Sequence, residues 1–69
     1  MTRGRVEVQL NGEPRQLPEG ATLVDLLGEP APGVACAVNG QVVPREQWWH
    51  YRLREGDRVE FVRAVQGGA

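Results

Sequence analysis

Residues Arg5 to Leu10, RVEVQL, alternate polar and apolar, with Val6, Val8 and Leu10 on one side. A period of two over this length predicts a half-buried strand. Asn11-Gly12 follows, a pair that tolerates positive φ at both positions and so predicts a tight hairpin turn. The returning strand runs through EPRQL, with Leu17 pointing inward. Pro14 and Pro18 cannot donate to a ladder, which suits a strand at the sheet edge.

In PEGATLVDLL the period changes. Thr22 can cap a helix, and Asp25 three residues later approximates a capping box while favouring the positive N-terminal end. Leu23, Leu26 and Leu27 fall at i, i+3 and i+4 and make one apolar stripe. Gly28 stops the helix in the C′ position, and EPAPG makes a rigid loop. VACAVNGQVV reads as strand, Asn39-Gly40 turn, strand, a second hairpin ended by Pro44. REQW is expected to form a helical turn, HYRL a short strand, and EGD at Glu55 to Asp57 a turn. The last strand, RVEFVRAV, carries Val59 and Phe61 on one face, which leaves Glu60, Val62 and Ala64 on the other.

This order, ββ-α-ββ plus a final strand, is an α+β arrangement in which one main helix covers one face of a mixed sheet of four to five strands. It is the plan of a β-grasp, the ubiquitin-like roll, whose first and last strands pair in the middle. Residues 1–65 are expected to form that domain and residues 66–69 a flexible C-terminal tail. Sixty-nine residues hold one core, and a chain of this size hides only roughly 60% of its unfolded surface. A deep catalytic cavity does not fit. A carrier or binding module does.

Charge and composition narrow the choice. A net charge of −1 gives no basic footprint for nucleic acid. The apolar stretches fall far short of the ~20 residues that span a bilayer. MTRGRVEV lacks the apolar h-region of a signal peptide, so the expected location is the cytoplasm, with no membrane partner. Cys36 is the single cysteine; no internal disulfide or thiolate zinc cluster can form, and its apolar surroundings in VACAV predict a core residue. His50, the single histidine, has no neighbouring cysteine or carboxylate pair, so no metal site is expected. Trp48 and Trp49 are adjacent, so one should pack inward, and Trp48 is the expected one. Arg45 and Glu46 read as solvated surface. All eight basic side chains are arginine. Without a lysine amine the chain can donate its carboxylate to others but cannot build lysine-linked chains on itself.

The chain resembles the ThiS family of thiamine biosynthesis, within the ubiquitin-like sulfur carriers, over nearly its whole length. NGEPRQLPEGATLVDLL is similar to that family's opening hairpin and helix. AVNGQVVPREQW looks like its central signature, and REGDRVEFVRAVQGG resembles its closing turn, strand and tail. The most specific piece is VNGQVVPREQW, in which Trp48 holds the signature position.

The resemblance implies that the chemistry sits on the Gly68 carboxylate, reached through Gln66 and Gly67. A ThiF-type adenylating enzyme would activate that carboxylate with ATP. A cysteine desulfurase or other persulfide donor would convert it to a thiocarboxylate, and thiazole synthase would take the sulfur. The chain would then be a reagent, not an enzyme, and would need no cofactor of its own. Glycine's small size suits such a tail, and Val65 to Gly68 extended reach about 13–14 Å, enough for a narrow channel. Glu60, Val62 and Ala64 are the expected partner-binding face. Ala69 departs from the family, whose members usually end on the second glycine; its removal is expected, because an amide cannot be adenylated in the same way. The same tail and fold also suit sulfur delivery to molybdopterin or transfer RNA, or a protein modifier joined to target lysines; a regulatory β-grasp that binds RNA or a nucleotide is disfavoured, because basic residues are not in excess.

Overall fold

In the computed structural model, residues 4–63 are described. Strand β1 (Arg5–Leu10) turns at Asn11 and Gly12, with φ of 51° and 85°, into β2 (Glu13–Pro18). Both turn residues thus adopt the left-handed conformation that their side chains permit. The two strands pair in register from Arg5↔Pro18 to Leu10↔Glu13. The proline-bearing strand lies at the sheet edge, as expected. Helix α1 (Leu23–Leu27), strands β3 (Val34–Val38) and β4 (Gln41–Val42), a 3-10 turn (Arg45–Gln47) and β5 (Arg58–Arg63) complete the described elements.

The five strands are ordered β2-β1-β5-β3-β4. The first and last strands run parallel, Leu10 beside Val59, and β5 pairs antiparallel with β3 from Val34↔Arg63 to Val38↔Val59. This mixed sheet under one helix is the β-grasp.

Helix α1 is little more than one turn, so its ends and its packing must hold it. Asp25 N–H donates to Thr22 Oγ1 at 3.3 Å, and Thr22 N–H donates to Asp25 Oδ2 at 2.9 Å. That is a complete capping box. Gly28 is the C-cap at φ 89°. Leu23 is fully buried, and Val24, Leu26 and Leu27 pack against the core.

HYRL does not form a strand of the sheet, contrary to expectation. It makes one isolated antiparallel bridge, Thr22↔Arg52. Its backbone serves the helix start instead: Leu23 N–H donates to Tyr51 C=O at 3.1 Å, and Leu53 N–H to Ala21 C=O at 2.8 Å. The first amides of a helix have no partner within it, and this segment supplies one.

The core gathers Val8, Leu23, Cys36, Val38, Val43, Trp48, Leu53 and Val59. Trp48 is its largest fully buried side chain, while Trp49 is 47% exposed. The Trp48 indole N–H donates to Val43 C=O at 3.1 Å, so its polar atom is satisfied inside the core. Its ring meets Phe61 of β5 edge-on, 6.5 Å between centroids at 63°. One residue therefore ties the second hairpin to the last strand.

Trp48→Ala is expected to lose about 3–5 kcal/mol, comparable to the whole stability of a domain this small. Far-UV circular dichroism should show a largely unfolded chain. Trp49→Ala should shift the urea midpoint only slightly. Similar effects of the two substitutions would show that Trp48 does not hold the core.

Candidate functional site

The candidate site is the last strand and the surface around it. In β5, Val59 is 1% exposed and Phe61 half-buried, both toward the helix side. Glu60 and Val62 alternate to the opposite face, and Val62 is 60% exposed. The structure thus places these two expected face residues outward and side by side along one strand. Ala64, Gln66, Gly67 and Gly68 lie outside the described residues, as does the expected boundary between domain and tail.

Register adds residues that the sequence reading did not single out. Paired residues share a face. Val62 pairs with Ala35, Glu60 with Ala37, and Ala37 in turn with Val42. Val42 is 74% exposed. An apolar stripe of Val62, Ala35, Ala37 and Val42 therefore crosses three strands on the face away from the helix. Alternation in VACAV and the adjacent pair Val42-Val43 contained half of this signal, since Val43 is buried. The cross-strand neighbours were not readable from any one segment.

The start of β5 is fixed by polar contacts. Asp57 accepts from Arg54 N–H at 2.9 Å and from Asn39 Nδ2 at 3.0 Å, and Asn39 Oδ1 accepts from Arg58 N–H at 2.9 Å. Glu55 accepts from Glu7 N–H at 2.9 Å. The EGD turn is thereby fastened to both neighbours of β5. Asn39-Gly40 is turn chemistry and also a latch.

Cys36 does not belong to this surface. It pairs with Phe61, is 2% exposed, and faces the core. Burial disfavours its thiolate and pushes the thiol up to about 11. A thiolate is the nucleophilic form, so Cys36 is unsuited to handling sulfur. His50 is exposed, and among the described residues no cluster of three His, Cys, Asp or Glu could hold a metal ion. No helix there is long and apolar enough to cross a membrane.

The mixed sheet, the capped single helix and the centrally placed last strand define a ubiquitin-like β-grasp protein. The ThiS family model matches residues 8–68, and the chain belongs to the ThiS family. It is 44% identical over 64 residues to the sulfur carrier protein ThiS of Thermus thermophilus, covering 88% of this chain and 98% of that protein. The sulfur carrier protein ThiS of Escherichia coli is 32% identical over 66 residues, covering 91% of this chain and all of that one. Among solved structures, the thiamine biosynthesis protein ThiS of Geobacter metallireducens superposes with a TM-score of 0.74 at 29% identity, over 91% of this chain and all of that chain.

The raised thiol of Cys36 has a pH consequence. The unfolded thiol releases its proton near 9.0 and the folded one near about 11. Between these values the folded state binds more protons, so this contribution to stability is present below pH 9 and lost as pH rises through about 11. Unfolding free energy should therefore fall more steeply between pH 9 and 11 in the wild type than in Cys36→Ala. Equal slopes in denaturant titrations would mean that the thiol is not desolvated.

Proposed function

We propose that this chain carries sulfur for the thiazole of thiamine as a thiocarboxylate on Gly68. The observation that carries the reading is the family match, which includes Gly67 and Gly68 and stops short of Ala69. The relatives, named as sulfur carriers, are spanned almost end to end.

The chemistry follows from what a carboxylate lacks. It resists nucleophiles until an oxygen becomes part of a good leaving group. A ThiF-type enzyme supplies this by joining the Gly68 carboxylate to the AMP portion of ATP, releasing pyrophosphate. The terminal sulfur of a persulfide then attacks the acyl carbon and AMP leaves. A thiol next cleaves the sulfur–sulfur bond, giving the thiocarboxylate and a disulfide. Thiazole synthase accepts the sulfur. Whatever follows Gly68 must leave first, because a peptide bond occupies the carbon to be activated, and a methyl side chain at the end would crowd a channel shaped for glycine.

The outward stripe is the docking face in this reading. Val62 and Val42 are large apolar side chains in water on a small domain, and such a patch marks an interaction surface. Its Val62 end lies on β5, the strand that leads toward Gly68. A partner seated there would find the tail five residues beyond Arg63, within about 17 Å at full extension.

Two experiments test this reading. With the adenylating enzyme, ATP and a persulfide donor, a chain ending at Gly68 should gain the mass difference of one sulfur replacing one oxygen. The chain ending at Ala69 should release pyrophosphate only after trimming. Equal turnover with Ala69 still attached would refute the need for maturation, and an unmodified Gly68 terminus would refute the carrier reading.

Val62→Asp should leave the melting curve unchanged within a few degrees. It should also weaken binding to both the adenylating enzyme and the synthase by roughly tenfold or more, as expected when a charge is buried unpaired in an interface. Unchanged affinity by calorimetry, with the fold intact, would remove this face from the interaction.

A further inference from the structure

Asn11 occupies a turn, yet its side chain acts as part of the sheet. Backbone pairing between β1 and β5 runs from Gln9 N–H on Asp57 C=O, at 2.9 Å, to Asn11 N–H on Val59 C=O, at 2.8 Å. There β1 turns away into its hairpin. The parallel ladder nevertheless continues by one step. Asn11 Oδ1 accepts from Phe61 N–H at 2.9 Å, and Asn11 Nδ2 donates to Phe61 C=O at 3.2 Å. The carboxamide offers one acceptor and two donors, so it pairs with Phe61 as the next peptide of β1 would have done. Its φ of 51° lies in the left-handed region.

We infer that Asn11 is a positioning residue for the C-terminal segment, a role that rests on the sulfur-carrier reading and deepens it. Phe61 is the last residue of β5 held on the β1 side among the described residues. Because strand amides alternate sides, Glu60 and Val62 turn theirs toward β3 and Arg63 turns its own the same way as Phe61. Among the described residues the Asn11 carboxamide is therefore the last contact of β5 on the β1 side, seven residues before Gly68. A tail leaving from a fixed point has less to order when it enters a partner's pocket. Asn11 acts on the tail through the Phe61 backbone.

The second hairpin supplies a matched control. Asn39 has the same conformation, φ 54° before a glycine at 86°, and also makes two side-chain hydrogen bonds to the last strand and its turn, through Arg58 N–H and the Asp57 carboxylate. It differs in place, since it holds the start of β5 rather than its exit. Asn11→Gly and Asn39→Gly both preserve a turn that needs positive φ, and each deletes one side-chain clamp.

Hydrogen exchange followed by NMR, on the full chain for each variant, gives the first readout. In Asn11→Gly the Phe61 amide should exchange on the order of tenfold faster relative to the Val8 and Val38 amides, as expected for losing a hydrogen bond. In Asn39→Gly that ratio should stay at its wild-type value. Steady-state adenylation gives the second, measured on variants ending at Gly68. Asn11→Gly should raise KM for the carrier roughly fivefold, the effect of re-ordering about one residue's backbone, with kcat unchanged because the bound geometry is restored. Asn39→Gly should leave KM within about twofold of wild type. Equal Phe61 exchange in the two variants would overturn the clamp itself. Faster exchange with an unchanged KM would reduce Asn11 to a structural residue and overturn its positioning role. A wild-type chain that is never adenylated would overturn the carrier reading and the positioning role together, while the exchange comparison still decides the clamp.

Discussion

The last strand has to fit between two strands that are made much earlier in the chain. Strand β5 lies parallel to β1 on one edge and antiparallel to β3 on the other, so neither hairpin completes the sheet alone. Short hairpins are marginal by themselves. Here the two become one sheet only when Val59 and Phe61 enter between them. Everything that shapes the domain is arranged around that insertion. Asn39 and Asp57 hold its start, Asn11 holds it at Phe61 on the way to its exit, and the Trp48 ring packs edge-on against Phe61.

A strand inserted at the centre of a sheet has two faces with different duties. The inner face of β5 completes a core in which Trp48 is fully buried with its indole N–H satisfied. No polar or charged residue is buried among the described residues, and no buried side-chain polar atom there lacks a partner. Among the described residues no helix lies over the outer face, which still carries Val62 and Val42. In a domain with so little core, apolar side chains left in water contribute nothing to folding. Their placement on one face of the sheet, Val62 on the last strand and Val42 two strands away, makes sense when a partner covers them.

Family membership and chemistry agree on what such a protein contributes. In the proposed reading the reactive atom belongs to the backbone terminus, and the side chains supply stability, a docking face and a defined point of departure. The single thiol, the residue type that sulfur chemistry would first suggest, is buried and held protonated. The absence of lysine in the sequence leaves no side-chain amine for an activated carboxylate to acylate.

Local signals were enough for the elements themselves. The alternation of Arg5–Leu10, the two Asn-Gly turns, the Thr22–Asp25 box and the edge prolines each depend on neighbours a few residues away, so they can be read without knowing the rest. The VNGQVVPREQW stretch pointed to the family in the same direct way. The segment HYRL was misread for a related reason. Its short apolar alternation is compatible with a strand, but the unpaired amides at the start of α1, distant in sequence, took its backbone instead. The apolar stripe from Val62 through Ala35 and Ala37 to Val42 depends on cross-strand register, which no single segment contains. Likewise, Asn11 signalled a turn in the sequence; only the arrival of Phe61, fifty residues later, gave its carboxamide a peptide to pair with. Hydrogen bonds between distant segments form where the fold brings them together, and that was decided by tertiary structure alone.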